Sequence, residues 1–599
     1  MADFEQHNYD VIVIGAGGAG LRAAIEASAV GARTALICKS LLGKAHTVMA
    51  EGGIAAALGN VYPEDNWQVH FRDTMRGGKM LNNWRMAQLH AQEAPDRVRE
   101  LEQWGALFDR TEDGRILQRD FGGHRYARLA HVGDRTGLEV IRTLQQHAVH
   151  KGIDVYMECT ISRLIKDGDR ISGAVGYWRE SGKTIVFASK AVVLATGGVG
   201  KAFKITSNSW EYTGDGHSLA YWAGADLIDM ECVQFHPTGM VWPPSVRGIL
   251  VTEGVRGDGG TLKNSEDERF MFRYVTPYFA AETADTEGEA DRWYDDKKNN
   301  RRTPDLLPRD EVARAINSEV KAGRGSPHGG VFLDIASRRS PEYIRRRLPS
   351  MYHQFKQLAD VDITAVSMEV GPTMHYIMGG VRVEPDTAAT TVAGLFAAGE
   401  VAGGMHGANR LGGNSLSDLI VFGRRAGLGA ADYAAKLTSA PTLDSEAADA
   451  IERDMLAPFE REGGENPYTI QRDLQETMHN LVGIIRTQAE LDEAGAQLAS
   501  YAGRARHTAV EGNRQYNPCW HLALDLHSLL TVSEAITKAA STRKESRGGH
   551  TREDFPETDP EWGKVNVVVR QGSGGEMEVT TEPLPHMPAE LAQLLQEAN

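Results

Sequence analysis

His46 lies in a run of mostly small residues, Lys44 to Ile54, that follows a glycine-rich loop at 15–20. Such a loop is typical of a dinucleotide site, and a histidine in a tight turn soon after it narrows the type of dinucleotide. The turn would bring the imidazole of His46 against the ring of a bound flavin. An imidazole nitrogen there can bond covalently to the 8α methyl of the flavin, so the run predicts a flavin site. The alternative is a histidine that only packs on the ring.

The glycine loop reads Gly15-Ala-Gly-Gly-Ala-Gly20 and contains the pattern G-x-G-x-x-G. Gly15 allows the tight turn, Gly17 lets the backbone approach a pyrophosphate, and Gly20 lets helix and strand pack closely. The N-terminus of the following helix then faces the negative charge of the phosphates. NAD sites usually carry an acid at the end of the second strand, where this chain has Lys39 and Ser40. The loop therefore favours FAD over NAD.

Several buried strands are predicted to position these residues. The strand 9–14 runs into the glycine loop, and a helix at 21–29 and a strand at 34–38 complete a βαβ unit. Two later apolar strands, 191–198 and 394–400, also run into glycine turns. We expect one nucleotide-binding domain assembled from these separated pieces.

An insertion is predicted between the later two strands, roughly from 241 to 351. Within it, the segment 281–303 is dense in charge and poor in apolar residues, so we expect a solvated loop or a partly disordered segment. From about 440 to 540 the sequence is rich in Ala, Leu, Glu and Gln, which is typical of a helical bundle. The segment from 541 onward, with several prolines and one strand-like run, is expected to wrap over the other domains.

Composition limits the class of protein. A chain of 599 residues is too long for a single core, so several domains are expected. The apolar share of 41% and the charged share of 24% fit a soluble globular protein. The net charge of −16 argues against a nucleic-acid partner.

The four cysteines (Cys38, Cys159, Cys232, Cys519) are far apart and form no C-x-x-C pair. We therefore expect no disulfide framework and no metal or iron–sulfur site, so electrons from a reduced flavin must leave through another subunit. The acidic, polar N-terminus resembles neither a signal peptide nor a transit peptide. No apolar run approaches the ~20 residues of a membrane span, so any membrane association would come through a partner.

The order of motifs resembles the flavoprotein subunit of succinate dehydrogenases and fumarate reductases over nearly the whole chain. Besides the glycine loop, the shared motifs are A-H-T-V-M-A-E-G-G-I (45–54), T-G-D-G-H (213–217), Q-F-H-P-T-G (234–239), L-V-T-E-G-V-R-G-D-G-G (250–260), P-R-D (308–310), T-M-H-Y-I-M-G-G (373–380), G-E (399–400), H-G-A-N-R-L-G-G-N-S-L (406–416) and E-S-R-G-G-H-T-R-E-D-F-P (545–556). Each motif alone is weak, whereas all of them in this order are specific.

The resemblance implies an α/β fold: a doubly wound FAD-binding domain with an inserted α+β capping domain, a helical domain and a small C-terminal domain. The implied bounds are 1–240 and 352–430 for the FAD-binding domain, 241–351 for the capping domain, 431–540 for the helical domain and 541–599 for the C-terminal domain.

The resemblance also implies FAD held covalently by His46. This link raises the flavin potential in the family and makes oxidation of an unactivated C–C bond feasible. The other positions implied to bind FAD are Gly15, Gly17, Gly18, Gly20, Lys39, Ser40, Thr47, Gly52, Gly53, Asp215, Glu400, Ser415 and Leu416.

The implied substrate is a C4 dicarboxylate, succinate or fumarate, whose two negative charges require cationic or strong donor groups at both ends. The family pattern supplies His236, Thr252, His375 and Arg410. Taken singly, the two histidines would be interpreted as structural, Thr252 as a turn hydroxyl and Arg410 as a surface ion pair.

Arg309 aligns with the family's proton donor and acceptor, and Glu253 and Arg256 align with the other members of its proton relay. Arginine is an unusual base, since its pKa exceeds ~12 in ordinary surroundings. A relay through a neighbouring carboxylate would reduce this difficulty. The alternative is a salt bridge between Arg309 and a nearby acid such as Asp310.

Glu51 stands where many succinate dehydrogenases have Gln and many fumarate reductases have Glu, so the physiological direction stays open. The nearest rival is an L-aspartate oxidase, a flavoenzyme of the same fold that normally lacks the equivalent of His46. A tRNA-modifying flavoprotein is disfavoured by the acidic charge, and a non-enzymatic FAD scaffold by the intact dicarboxylate motifs.

The family's partners are a membrane anchor that handles quinone and an iron–sulfur subunit. The resemblance therefore implies a peripheral location on the cytoplasmic face of a bacterial inner membrane.

Overall fold

The computed structural model describes residues 4–439 and 441–596. Its strands are β1 (Glu5–Ile14), β2 (Thr34–Ile37), β3 (Ile54–Ala55), β4 (Gln118–Arg119), β5 (Leu129–Ala130), β6 (Asp154–Tyr156), β7 (Cys159–Asp167), β8 (Arg170–Trp178), β9 (Thr184–Leu194), β10 (Leu227–Ile228), β11 (Val233–Met240), β12 (Thr261–Lys263), β13 (Val331–Asp334), β14 (Met368–Ile377), β15 (Gly380–Val381), β16 (Leu395–Ala397), β17 (Val565–Gln571) and β18 (Met577–Pro583). Its α-helices are α1 (Gly18–Ala29), α2 (Trp67–Gly77), α3 (Trp84–Gln103), α4 (Thr136–His150), α5 (Asp215–Ala223), α6 (Gly254–Gly257), α7 (Glu287–Trp293), α8 (Arg309–Lys321), α9 (Pro341–Arg347), α10 (Pro349–Ala359), α11 (Asn414–Lys436), α12 (Ser445–Glu460), α13 (Pro467–Leu481), α14 (Gln488–Ala505), α15 (Pro518–Thr542) and α16 (Ala589–Gln596).

The main sheet has seven strands in the order β6-β2-β1-β9-β8-β7, with β16 pairing with the end of β9. The strands predicted to end at glycine turns lie side by side: β1 pairs in parallel with β9, and β9 pairs in parallel with β16. Strands β9 and β16 and the last four residues of β1 are mostly buried, and α1 and α11 pack against the sheet. The predicted assembly of one α/β domain from separated pieces is confirmed.

A second sheet in the order β11-β14-β13-β12 is antiparallel and belongs to the insertion. A separate hydrophobic core lies under it and runs from Met240 to Val370. This core includes residues beyond position 351, among them Phe355, Met368 and Val370. The strands β11 and β14 therefore join the capping region to the main domain, and helix α8 packs against both of them.

The charged segment 281–303 is largely exposed, as expected, but it contains a helix, so the expectation of a loop or a partly disordered segment is wrong. It contains α7, whose Trp293 and Ala290 are buried. The Thr286 side chain accepts a hydrogen bond from Glu289 N, and this cap was present in the sequence as a T-x-x-E pattern. The high density of charge suggested an unfolded segment. In the structure many of these charges form ion pairs, as Asp291 does with Arg269 and Arg338.

The predicted helical bundle corresponds to helices α12 to α15, of which α13, α14 and α15 pack together. Helix α15 also packs on α5 of the main domain. Among the described residues, no helix combines the length and the apolar character that crossing a bilayer requires.

The C-terminal segment lies over other parts of the chain. Strand β17 pairs with β10 of the main domain and with β18, while α16 contacts α2. Arg543, fully buried, connects the segment to the main domain through ion pairs with Asp229 and Glu231, and it also pairs with Glu545. Because removing one member of a buried ion-pair network leaves unpaired buried charges, this cluster is expected to hold the segment in place.

We expect Arg543→Met to reduce the free energy of unfolding by about 3–5 kcal/mol, because it leaves three buried carboxylates without their cation. The matched control is Arg570→Met, which removes a half-exposed cation that pairs with Asp226 and Glu582, and should change stability by about 1 kcal/mol or less. Urea midpoints of tryptophan fluorescence measure the difference. Equal shifts for the two variants would contradict the assigned role of the buried network.

Candidate functional site

One cavity of about 430 Å³ lies at the carboxyl ends of β1, β2, β9 and β16, between the main domain and the capping region. Ligands of open α/β sheets bind at this edge. Every residue that the sequence singled out lines the cavity except Gly20 and Arg256, which lie behind its wall. The structure therefore brings together residues that are up to 400 positions apart in the chain.

The glycine loop connects β1 to α1. Gly15 has φ +110°, and a Cβ there would lie 2.2 Å from the Ala195 carbonyl oxygen. A Cβ on Gly20 would lie 1.8 Å from the Gly15 carbonyl oxygen, so this glycine is needed for contact between helix and strand rather than for ligand contact. Gly17 caps α1, and Gly18 N donates to Thr47 Oγ1 at 3.2 Å. The free N–H groups of this helix end face the cavity and suit a pyrophosphate.

Lys39 and Ser40 follow β2, at the adenosine end of a dinucleotide bound in the usual direction. Lys39 Nζ donates to Thr213 Oγ1, Asp215 Oδ2 and Asp525 Oδ1 at 2.7–2.9 Å. Burial alone would lower the pKa of Lys39, but the two carboxylates outweigh it and the pKa is raised. An NAD site would carry an acid at the end of this strand. Here the position holds Lys39, whose charge is balanced by Asp215 of α5 and Asp525 of α15.

A second helix N-terminus faces the other end of the cavity. Gly413, with φ +85°, precedes α11, and Ser415 and Leu416 lie in its first turn. Gly52 and Gly53 lie nearby, and a Cβ on Gly53 would lie 2.9 Å from the Ala130 carbonyl oxygen. Glu400 accepts from Ile377 N at 3.1 Å, and burial raises the pKa of Glu400 to about 8. A largely neutral, donor-rich wall of this kind fits the polar edge of a flavin.

The cavity therefore fits FAD by its shape and donors. The glycine loop leaves space for backbone approach at one end, the two helix N-termini offer N–H groups, and the wall between them is mostly apolar. No part of this fit depends on a metal ion.

His46 begins a short 3-10 helix, His46–Met49, that faces the cavity. Ser209 N donates to His46 Nδ1 at 3.3 Å, Asn208 Nδ2 lies 3.3 Å from Nε2, and the ring packs edge-on against Tyr212. Burial, followed by the charge of Lys201, lowers the pKa of His46 to about 4. The imidazole is therefore neutral near pH 7.

Polar side chains converge at the corner of the cavity beside the capping region. The rings of His236 and His375 are 5.4 Å apart. His236 Nε2 donates to the Val251 carbonyl at 2.9 Å, and His375 Nδ1 contacts Ser207 Oγ at 2.8 Å. Burial and the neighbouring arginines hold the pKa of both rings well below the usual range, so both are neutral.

Arg410 lies in the same corner. Its guanidinium donates to Gln234 Oε1 and Ser415 Oγ and packs 4.4 Å from the Tyr376 ring centre. Nε has no protein partner although it is buried. Burial, and then the charge of Arg309, lower the pKa of Arg410 to about 10, which leaves the group charged at neutral pH.

Arg309 is the first residue of α8 in the capping region, and its Nε donates to Glu253 Oε2 at 3.2 Å. The partner is therefore Glu253 and not Asp310, whose nearest cation is Arg314 at 3.6 Å. Arg309 Nη1 is buried without a partner. Burial would raise the pKa of Glu253, but Arg309 and Arg256 outweigh it, so the carboxylate is ionised.

Arg256 lies on α6 and is fully buried behind Glu253. Its Nη1 donates to the Asp305 carbonyl at 2.6 Å, while Nε and Nη2 have no partner. Thr252 lies beside Glu51 on the cavity wall. Burial and the charge of Asp134 raise the pKa of Glu51 to about 8, with a Thr252 hydrogen bond acting in the opposite direction.

Sequence reasoning missed several residues of this site. Asn208 and Tyr212 follow a glycine turn but carry no motif, and Asp525 lies on a helix far along the chain with no pattern that marks it. Tyr376 was present in the T-M-H-Y motif, where only the histidine was singled out.

Comparisons with known proteins agree with this geometry. A family model described as "FAD binding domain" matches residues 10–416, and one described as "Fumarate reductase flavoprotein C-term" matches 471–593. The chain is 44% identical to a fumarate reductase (CoM/CoB) subunit of Methanothermobacter marburgensis, covering 95% of this chain and 98% of that one. It is 37% identical to the succinate dehydrogenase flavoprotein subunit of Rickettsia bellii, covering 93% and 92%.

Among solved structures, Sdh1 of Mycobacterium smegmatis in complex with UQ1 matches with a TM-score of 0.86 and 60% identity, over 97% of this chain and 95% of that chain. Family models, relatives and structure agree over nearly the full length. The chain belongs to the succinate dehydrogenase and fumarate reductase flavoprotein subunits, a family of FAD-dependent oxidoreductases.

Proposed function

We propose that this chain interconverts succinate and fumarate on FAD bound covalently through His46, and exchanges electrons with quinone through an iron–sulfur subunit. The observation that carries the proposal is the pair of guanidinium groups, Arg309 with an 11% exposed side chain and the buried Arg410, at one corner of the cofactor cavity. Each has a nitrogen with no protein partner. Buried cations with free donors call for an anionic ligand.

A C4 dicarboxylate fits this corner because it brings two carboxylates. Arg410, held by Gln234 and Ser415, offers Nε to one carboxylate, while Arg309, from the capping region, offers Nη1 close to the reacting carbons. The neutral histidines 236 and 375 and the Thr252 hydroxyl contribute hydrogen bonds without adding charge. FAD held in this cavity would supply the acceptor or donor of the hydride exchanged with one of the two central carbons.

The accompanying proton moves through the chain's own side chains. In fumarate reduction, Arg309 donates a proton to the second carbon, and in succinate oxidation it accepts one. Glu253, ionised and bonded to Arg309 Nε, exchanges that proton with Arg309, and Arg256 lies next in line. Because Arg256 is fully buried, this relay is shielded from bulk water.

Covalent attachment is proposed at His46 Nε2. Ser209 N–H donates to Nδ1, so the neutral ring carries its hydrogen on Nε2 and would release it when the bond forms. The bond would join Nε2 to the 8α carbon in place of one methyl hydrogen and the imidazole hydrogen, and dioxygen or fumarate would be the acceptor of these two hydrogens.

Electrons must leave this chain, whose sequence holds no cluster-binding cysteine pair. The Methanothermobacter relative is named for CoM/CoB, whereas the 60% identical Mycobacterium structure contains UQ1. The higher identity favours quinone. As partners we therefore propose a membrane anchor and an iron–sulfur subunit, with this chain peripheral on the cytoplasmic face of a bacterial inner membrane.

The alternative is an L-aspartate oxidase-like flavoenzyme. Anaerobic mixing of the purified flavoprotein with either substrate separates the two functions. Succinate should bleach the flavin absorbance near 450 nm and L-aspartate should leave it unchanged. Bleaching by aspartate alone would overturn the proposal.

We expect Arg309→Ala to retain FAD and to lower kcat by at least about 10²–10⁴-fold, since it removes the proton-transferring group. The control is Asp310→Asn on the same helix turn, which should keep its activity because Asp310 does not contact Arg309. Steady-state succinate oxidation, corrected for flavin content, measures both. Substantial turnover by the alanine variant would contradict the relay.

Binding of an unreactive dicarboxylate should depend on the ionisation of Glu51. Below its pKa of about 8 the carboxyl is neutral; above it, the carboxylate repels the dianion. The Kd of malonate, followed by flavin absorbance, should therefore rise by up to about tenfold per pH unit above 8. Glu51→Gln should remove this rise between pH 8 and 9. An unchanged pH profile in the variant would rule out Glu51 as the titrating group.

A further inference from the structure

A short segment of three residues, Ser207 to Ser209, contacts His46 and His375 between its members. Ser207 Oγ lies 2.8 Å from His375 Nδ1. Asn208 Nδ2 donates to the His375 carbonyl at 3.0 Å and lies 3.3 Å from His46 Nε2. Ser209 contributes only its backbone N–H, to His46 Nδ1. One short segment thus contacts the proposed attachment residue and a proposed substrate ligand.

The segment is fixed by the strand that carries His375. Thr206 pairs with Met374 of β14, and both Ser207 N and Thr206 Oγ1 donate to the Met374 carbonyl at 2.9–3.0 Å. These bonds attach the segment to β14.

The Asn208 side chain has little room to move. It is 4% exposed, and a Cβ on Gly200 would lie 2.0 Å from its Oδ1. Its backbone N donates to Thr206 Oγ1 at 3.1 Å. A side chain packed this closely presents its amide nitrogen at a fixed place between the two histidines.

We infer that Asn208 is a positioning residue whose side-chain amide, bonded to the His375 carbonyl and 3.3 Å from His46 Nε2, sets the relative orientation of His46 and His375, and so links covalent flavin attachment to the geometry of the substrate site. The inference rests on the proposed function. It assigns different roles to the three neighbours. Ser207 acts on His375 alone, Ser209 acts on His46 through its backbone alone, and only Asn208 acts on both.

The segment offers its own matched set of variants: Ser207→Ala, Asn208→Ala, Asn208→Asp and Ser209→Ala. The aspartate keeps the volume of the asparagine but replaces the donating nitrogen with an oxygen. Because the aspartate also adds a buried charge, its defect supports a donor role only where Asn208→Ala shows the same defect. Ser209→Ala removes a buried hydroxyl that has no protein partner and keeps the backbone N–H.

Two readouts are made on each variant of the full chain with its partner subunits. In-gel flavin fluorescence after denaturation, divided by protein stain, gives the covalent fraction. Steady-state kinetics on the flavin-containing fraction gives KM for succinate and kcat. Loss of one hydrogen bond to a substrate ligand is expected to raise KM by about two- to tenfold.

Ser209→Ala should match the wild type in both readouts. Ser207→Ala should raise KM and leave the covalent fraction unchanged. Both Asn208 variants should lower the covalent fraction at least about twofold, and raise KM in what flavinylated protein remains. A wild-type covalent fraction and KM in Asn208→Asp would overturn the inference, as would equal loss of covalent flavin in Ser207→Ala.

The fluorescence of the wild-type band distinguishes failure of this inference from failure of the proposed covalent attachment at His46. A dark wild-type band would overturn covalent attachment, and with it the inference. A bright wild-type band with an equally bright Asn208→Asp band would overturn the inference alone.

Discussion

The site depends on two like charges that are buried close to each other. Arg410 is bonded to neutral groups only, and burial and the charge of Arg309 lower the pKa of Arg410 to about 10. A shift of this size corresponds to about 3 kcal/mol of unfavourable charge in the ligand-free site. Glu253 compensates part of it at Arg309. A ligand with two carboxylates would compensate the remainder, which explains why such a strained arrangement is kept.

This constraint accounts for the domain arrangement. Arg410 lies in the loop before α11 of the main domain, whereas Arg309 begins α8 of the capping region. The charged corner therefore forms only where the two regions meet, over the edge of the sheet where a dinucleotide binds. Strands β11 and β14 cross this boundary and carry His236 and His375. The same two strands thus join the regions and place the neutral donors near both cations.

The sequence predicted the parts of the site that local chemistry fixes. The glycine loop at 15–20 follows from steric limits on a strand-to-helix turn, and the structure has the expected close contacts at Gly15 and Gly20. Motif resemblance predicted that Arg309 and Arg410 belong to one site, and both line the same cavity. It left open whether Arg309 pairs with Asp310, and the geometry decides for Glu253.

Contacts made across the fold were not predictable. Asp525 reaches Lys39 from a helix 486 positions away, and no local pattern marks it. Asn208 carries no motif, since its importance comes from lying between two histidines brought together by β14. Segment 281–303 was misjudged because its charges were counted singly, whereas opposite charges pair and Trp293 anchors the helix.

The most direct test of the account is tandem mass spectrometry of the tryptic peptide that begins at Ala45 and ends at Arg72. The account predicts that this peptide, from protein denatured before digestion, carries the mass of FAD on His46. The unmodified peptide together with FAD released into the supernatant would contradict it.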